Sequence, residues 1–551
     1  MGRAKRRAGP AAVLTILLAM VSAPASAGHG TGPAVVLFGR AGTFGALATA
    51  TRLPSGHSFG ARSVAGWGAT LGQSFFYADA GKGEVLFATY PQSGNAIYPT
   101  ADHMALSVFR RDTDAFRTIT VPTSNGSLSA TNPWTNPPNI VGGADVSDVQ
   151  LVRTADGTEK LAFLSAFPYH LWSIADKGLY PALGFLRRAN GQWVYDAAAS
   201  RSAQQLQDQN GAAGRDAFPT REGPYGLGQP TAATRGFSEM ALTPRSGHLV
   251  VTQYLGDSAL GQRNGRVVVL GLDGSLKASY LLPNVPDPAG GTWHVSPKFV
   301  ETDPSARLGD ERFVVQYDAY YTNSAGVTTW HYPFQEFSYD ATTRAIRPVT
   351  AALERTGYAD GSELGYANYD RRGNLWVGTK VPGGYGISAG PVVAYTKVSG
   401  RRSYESGPCA VPSDFPQRGW RVVCTPDVKV GGGGNEGYPQ AIVEDWVGGV
   451  GGARKGTIYA VTVTGSVVPI VPTYSADGRL VGGVRKPALA LDLGPLRAAQ
   501  PGRSVNARKG SIDAAGRSLW IPVATTSDDP QARVPSTLPQ WAYRVDLDKT
   551  Y

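Results

Sequence analysis

The stretch DRRGNLWVGT, residues 370–379, decides the fold. Asp370 and Gly373 bracket a tight turn, because an Asp side chain can accept nearby backbone N–H groups and Gly tolerates the left-handed backbone that turns require. The residues that follow, rich in aromatic and β-branched side chains, read as a strand. Working outward, the same unit recurs. Asp79-Ala-Gly-Lys-Gly precedes EVLFATY, Asp156-Gly157 precedes TEKLAFLSAF, and Pro244-Arg-Ser-Gly247 precedes HLVVTQYL. Leu308-Gly-Asp310 before ERFVVQYD is a looser copy, a weaker one around Glu444 to Thr464 uses GTIYAVTV, and Asp513-Ala-Ala-Gly516 precedes RSLWIPVAT. The starts fall about 60 to 90 residues apart. Repetition at such a period must be judged before local structure.

Most units carry a hairpin downstream, among them ALSVFRRDTDAFRTITV, LGFLRRANGQWVYDA, RVVVLGLDGSLKASYLL, QEFSYDATTRAIRPV, VVAYTKVSGRRSYE and AVTVTGSVVPIV. Two strands joined by Asp, Asn or Gly turns are hairpins by turn chemistry. With the strand before each Asp…Gly turn, each unit holds four strands, the content of one propeller blade. The expectation is an all-β protein, a seven-bladed β-propeller of four-stranded antiparallel blades, with a six- or eight-bladed ring as the alternative. The early strand AVVLFGRAG is expected to join WAYRVDLDKTY in the last unit, closing the ring without a free edge. DRRGNLWVGT resembles the blade motif of the regulator-type, NHL and SMP-30-like propellers, and DAAGRSLWIPV is a looser version. The resemblance spans about ten residues per blade and implies a fold, not an activity.

The ends and the composition bound the compartment. Arg3, Lys5, Arg6 and Arg7 precede an apolar run from Ala11 to Val21, and Ala25-Ser26-Ala27 supplies small side chains for cleavage. That order reads as a secretory leader over residues 1–27, leaving a single propeller domain over 28–551. No stretch reaches the roughly 18 uninterrupted apolar residues of a bilayer span, so a secreted, extracellular chain without a membrane span is expected. Removing the leader's four positive charges lowers the formal charge from +10 to +6. With no dense Lys/Arg run interleaved with aromatics, no nucleic-acid partner is expected, and the chain reads as a monomer. Cys409 and Cys424 are the two cysteines, and in an oxidising compartment they are expected to form one disulfide across a surface loop.

Candidate chemistry gathers where innermost strands begin. Asp148, Glu239, Glu363 and Glu436 stand near the starts of segments expected to be innermost, and His294 has a related place in the fourth unit. They are the candidate catalytic residues, brought to one axis from distant parts of the chain. Crowded carboxylates resist ionisation unless a cation offsets them, so a divalent cation, calcium foremost, is expected at Asp148, Glu239 and Glu363. The alternative for each acid is a bond to backbone N–H groups of the neighbouring blade. Trp293, Tyr366 and Tyr369 are candidate aromatic platforms for a sugar ring, with gap filling between blades as the alternative. No G-x-S-x-G, H-E-x-x-H, P-loop or EF-hand pattern occurs, which argues against serine-hydrolase, zincin and nucleotide chemistry. The leading functional expectation is a carbohydrate-active enzyme, a glycoside hydrolase or a polysaccharide lyase. The alternatives are a non-catalytic scaffold with a structural cation and a metal-dependent lactonase or small-molecule lyase of SMP-30-like type.

Overall fold

The computed structural model describes residues 35–38, 57–58, 76–79, 84–91, 103–110, 115–122, 146–165, 182–218, 234–256, 265–283, 285–286, 292–331, 333–349, 353–355, 363–380, 392–398, 401–402, 421–423, 428–431, 439–462, 464–491, 493, 503–507, 510–513, 517–527 and 541–551. The expected leader, Glu436 and both cysteines lie outside them.

Each Gly-ended turn of the sequence repeat leads into a strand: Glu84–Pro91, Glu159–Ser165, Leu249–Gly256, Glu311–Thr322, Leu375–Lys380, Thr457–Thr462 and Ser518–Ser527. In the turns, Gly157, Gly247, Gly309 and Gly373 have φ of 82°, 67°, 84° and 81°, the region that a Cβ disfavours. The strand lies second in its sheet, paired antiparallel with the strand before the turn and with the first strand of the downstream hairpin.

Six blades are each cut from one continuous stretch of chain, over residues 57–122, 146–195, 234–281, 285–355, 363–431 and 439–490. They are numbered first to sixth below. Six blades is the lower alternative, and the expectation of a seven-bladed propeller is corrected. The unit beginning at Asp513 has no complete blade of its own. Its strands Arg503–Ala507, Ser511–Asp513, Ser518–Ser527 and Trp541–Asp546 take Val35–Phe38 as the outermost strand, in register Val35↔Val545 to Phe38↔Ala542. This composite sheet makes the closure that the early strand implied. It packs against the sixth blade, and its broken inner strand also approaches the first.

The fifth blade differs from expectation. Val392–Tyr395 pairs not with the adjacent residues but with Val428–Gly431, and Lys397–Val398 with Arg401–Arg402 forms a separate two-stranded ribbon. Cys409 and Cys424 therefore fall in an insertion between the third and fourth strands of that blade. Another part of the insertion, Arg421–Val423, runs parallel to Leu353–Arg355 of the fourth blade.

The cores lie between blades rather than within them. Trp376, Ala394, Ile442, Ile458 and Val468 join the fifth and sixth, and Val315, Phe313, Val250 and Val267 join the third and fourth. A blade is a thin sheet, apolar on both faces, that buries itself only against neighbours. Replacing Val35–Phe38 by a Gly/Ser stretch therefore exposes the Trp541–Asp546 edge. The expected result is a Tm lower by about 5 °C or more, with self-association on gel filtration. A monodisperse variant of unchanged Tm contradicts the closing role.

Candidate functional site

The innermost strands share a feature that composition did not announce. In five successive blades the innermost strand carries a β-bulge against its second strand. The register slips between Val146 and Asp148, Phe237 and Met240, Pro297 and Phe299, Leu364 and Ala367, and Pro439 and Ala441. A bulge leaves one residue outside the ladder, bends the strand and re-aims a side chain. The residues in the slips are Ser147, Ser238 with Glu239, Lys298, Gly365 with Tyr366, and Gln440. The axis is thus ringed by bulges whose residue types include an acid, a base, a phenol and an amide.

Glu239 is one of them. Its side chain is 2 % exposed, and its backbone N–H donates to Thr252 Oγ1 at 3.1 Å, while that hydroxyl donates to Glu239 O at 3.2 Å. The Thr252 hydroxyl thus takes the place of a ladder partner that the bulge removes. Asp148 follows the bulge in the second blade and is also buried. Its Oδ1 accepts from Val149 N at 2.8 Å, and its Oδ2 accepts from Met240 N at 2.9 Å, across to the third blade. Gln150 Nε2 adds a bond to Met240 O at 3.2 Å. Asp148 thus makes the inter-blade tie that was its alternative reading.

His294 and Glu363 stand at the mouth ends of the fourth and fifth innermost strands, opposite Tyr320 and Lys380. Trp293 pairs with Val285, and Tyr366 lies in the fifth blade's bulge. For these four the backbone places the residue, and the side chains lie outside the described part. Tyr369 departs from its expected role on a sugar-binding surface. It is buried in the core between the fourth and fifth blades, its hydroxyl donating to Glu336 Oε1 at 3.4 Å. Beyond the bulge, Tyr369 falls on the packed side of its strand together with Ala367. Among the described residues no group of three or more His, Cys, Asp or Glu is placed to hold a metal ion, and no helix is long and apolar enough to cross a membrane.

At the opposite end of the innermost strands, carboxylates clamp the turns. Glu311 Oε1 accepts from Arg245 N at 2.7 Å and Ser246 N at 2.9 Å, fastening the third blade's turn to the fourth blade. Glu444 Oε2 accepts from Arg371 N at 2.6 Å, between the sixth and fifth blades. Asp445 Oδ1 accepts from Arg517 Nη1 at 2.7 Å, reaching the composite sheet. Asp370, 2 % exposed, accepts four bonds, from Arg372 N, Asn374 N, Asn374 Nδ2 and Trp376 Nε1 at 2.7–2.9 Å. The sequence signalled Asp370 through its repeat, but Glu311 and Glu444 carried no signal, since their partners are backbone groups one blade away.

Burial pushes the Glu444 carboxyl up to about 7, aided by the charges of Asp370 and Asp445 and opposed by the Arg371 N–H and guanidinium. A carboxyl raised in the folded state stabilises it fully below the ordinary value near 4.5, and that contribution disappears as pH rises through about 7. Glu444→Gln keeps an acceptor for Arg371 N and carries no charge. It is expected to raise unfolding free energy by about 1–2 kcal/mol near pH 8, with the gain vanishing below about pH 5, in urea titrations at both conditions. A pH-independent difference contradicts this account.

No protein-family profile matches the chain, and no curated protein does. Solved structures do. The Dos1 propeller aligns at 9 % identity with a TM-score of 0.36, covering 90 % of this chain and 96 % of its own. The Hadza microbial sialidase Hz136 aligns at 11 % and 0.35, covering 82 % and 75 %. The GH93 α-L-arabinofuranosidase of Fusarium graminearum, solved with arabinobiose, aligns at 13 % and 0.33, covering 74 % and 94 %. Strand order and blade-to-blade packing define the chain's class: it is a β-propeller of four-stranded antiparallel blades.

Proposed function

We propose that this propeller is an exported carbohydrate-active enzyme, binding a polysaccharide or oligosaccharide at the mouth of its central channel. The observation that supports the reading is the row of bulged innermost strands, in which Glu239, Lys298 and Tyr366 hold equivalent backbone positions in three adjacent blades. Glu239 with Glu363 supplies two carboxyl groups, as glycoside hydrolysis requires. For a uronate polymer, Lys298 would offset the carboxylate and His294 or Tyr366 would remove the adjacent proton, which is lyase chemistry. Trp293 would offer a ring face for stacking. A calcium ion at Glu239 and Glu363 belongs to the same proposal, whereas Asp148 is already engaged with two backbone N–H groups.

The test is purified protein on a panel of plant, algal and bacterial polysaccharides, with calcium and with chelator. New reducing ends accompanied by the ultraviolet absorbance of a new double bond mean a lyase, and reducing ends alone mean a hydrolase. No turnover on any polymer, with proton release from lactones on metal addition, would replace this reading by the lactonase one. Intact-mass analysis of exported protein tests two companion proposals, a mature chain starting near Gly28 and a Cys409–Cys424 disulfide.

A further inference from the structure

The turn between the innermost and second strands is short in the second to fifth blades and long in the sixth. There it runs from Trp446 to Gly456 through a 3-10 turn at Val450–Gly452. Gly448, Gly451 and Gly452 all take φ near 70°, and a Cβ built on Gly451 or Gly452 would meet nothing within 4 Å, so the tip stands clear of the body. Three apolar side chains are left in solvent: Trp446 at 36 %, Val447 at 39 % and Val450 at 99 % exposure. The corresponding turn of the fourth blade, on the same face of the ring, presents Leu308 at 67 %.

The exposed charge around the sixth-blade tip is largely positive. Arg371, its guanidinium 4.8 Å from the centre of the Trp446 ring, Arg372 and Lys455 are exposed around the sixth-blade tip, and Arg307 adjoins Leu308. Of the acids of the region, Asp445 and Glu444 are drawn inward, whereas Asp548 is 40 % exposed and Asp310, beside Leu308, is 54 % exposed and paired with Arg312. Asp445 binds Arg517, Glu444 binds the Arg371 N–H, and Asp548 meets Arg517 at 3.0 Å and Arg454 at 3.8 Å. A soluble polyanion would account for the arginines and lysine but not for a bare valine and a half-exposed tryptophan at the tip. Apolar side chains projecting from a basic rim match a bilayer surface with anionic headgroups, where the apolar groups enter the interface and the cations meet the lipid charge. From this geometry we infer that the turn face of the propeller docks on an anionic membrane surface, with Trp446, Val447 and Val450 inserting and Arg371, Arg372 and Lys455 around them. The channel mouth, at the other end of the innermost strands, then faces away from the lipid.

The experiment is sedimentation of the full chain with vesicles of phosphatidylcholine alone or mixed with phosphatidylglycerol. Binding is expected to the mixed vesicles and not to phosphatidylcholine alone, weakening with salt. Val450→Asp is expected to weaken it by about tenfold or more, and Arg371→Gln or Lys455→Gln by about fivefold each. Val450→Trp is expected to strengthen it. Because Val450 is almost wholly in solvent, thermal melts of its variants should coincide with that of the parent, which separates lost docking from lost folding. Absence of binding to the anionic vesicles overturns the inference. So does binding that Val450→Asp leaves intact, the result expected if the face recognises a soluble polyanion or a protein.

Discussion

Asp370→Ala is expected to lower the unfolding free energy by about 3–5 kcal/mol. Four donors converge on this one carboxylate, two from the turn backbone, one from Asn374 and one from the Trp376 indole. Trp376 is 1 % exposed and Asn374 is 3 % exposed, so their N–H groups have no ready access to water once the carboxylate is gone. A buried donor left unsatisfied costs about 1–3 kcal/mol. The damage also spreads, because Trp376 lies in the core between the fifth and sixth blades. Asp370→Asn should fall between parent and alanine variant, since its amide still accepts from the turn N–H groups but turns a donor toward the indole. Urea titrations of the three proteins decide the matter. A cost for alanine below about 1 kcal/mol would mean that the turn holds without its carboxylate.

Glu239→Gln has the largest expected effect on activity, a fall in kcat/KM of about a hundredfold to a thousandfold on whichever polymer the panel identifies. The amide preserves shape in a buried position and leaves the backbone bonds with Thr252 intact, so Tm should change little. Asp148→Ala is the informative contrast. It strips Met240 N of its partner across two blades and should lower Tm, with any loss of rate following the loss of folded protein. If Glu239→Gln turns over substrate at the parental rate, Glu239 has no part in the chemistry. If Asp148→Ala is fully stable yet inactive, the roles given to the two acids are reversed.

The repeat was legible because its turn is local. An Asp and a Gly a few residues apart can be read from the chain, and every strand placed after such a turn is present. Pairing over longer distances was partly legible. Val35–Phe38 was assigned to the last sheet because the ring would otherwise have an open edge, whereas the fifth blade's outer strand was misplaced because an insertion separates Tyr395 from Val428. The bulges were not legible at all. Ser147, Glu239, Lys298, Tyr366 and Gln440 share no residue type, since a slip in register arises from the pairing of two strands rather than from a preference of one. Each slip also reverses which side chains face inward beyond it, so the inward face of Tyr369 cannot be read from alternation along its strand. Glu311 and Glu444 escaped notice for a related reason: their partners are backbone N–H groups, which leave no trace in sequence.

The closing sheet also orders events in time. Trp541–Asp546 is made after the six continuous blades, so Val35–Phe38 has no mate while those blades are being made. Lengthening a loop adds little to the equilibrium cost of joining its ends, about 0.6 kcal/mol per doubling, but distant pairings are slow to form. The finished blades must therefore wait as an open crescent, and a chain exported unfolded would complete its circle only after crossing the membrane. Two crescents meeting in that interval could each receive the other's first strand, which makes the speed of closure and the local protein concentration part of what determines a correctly closed molecule.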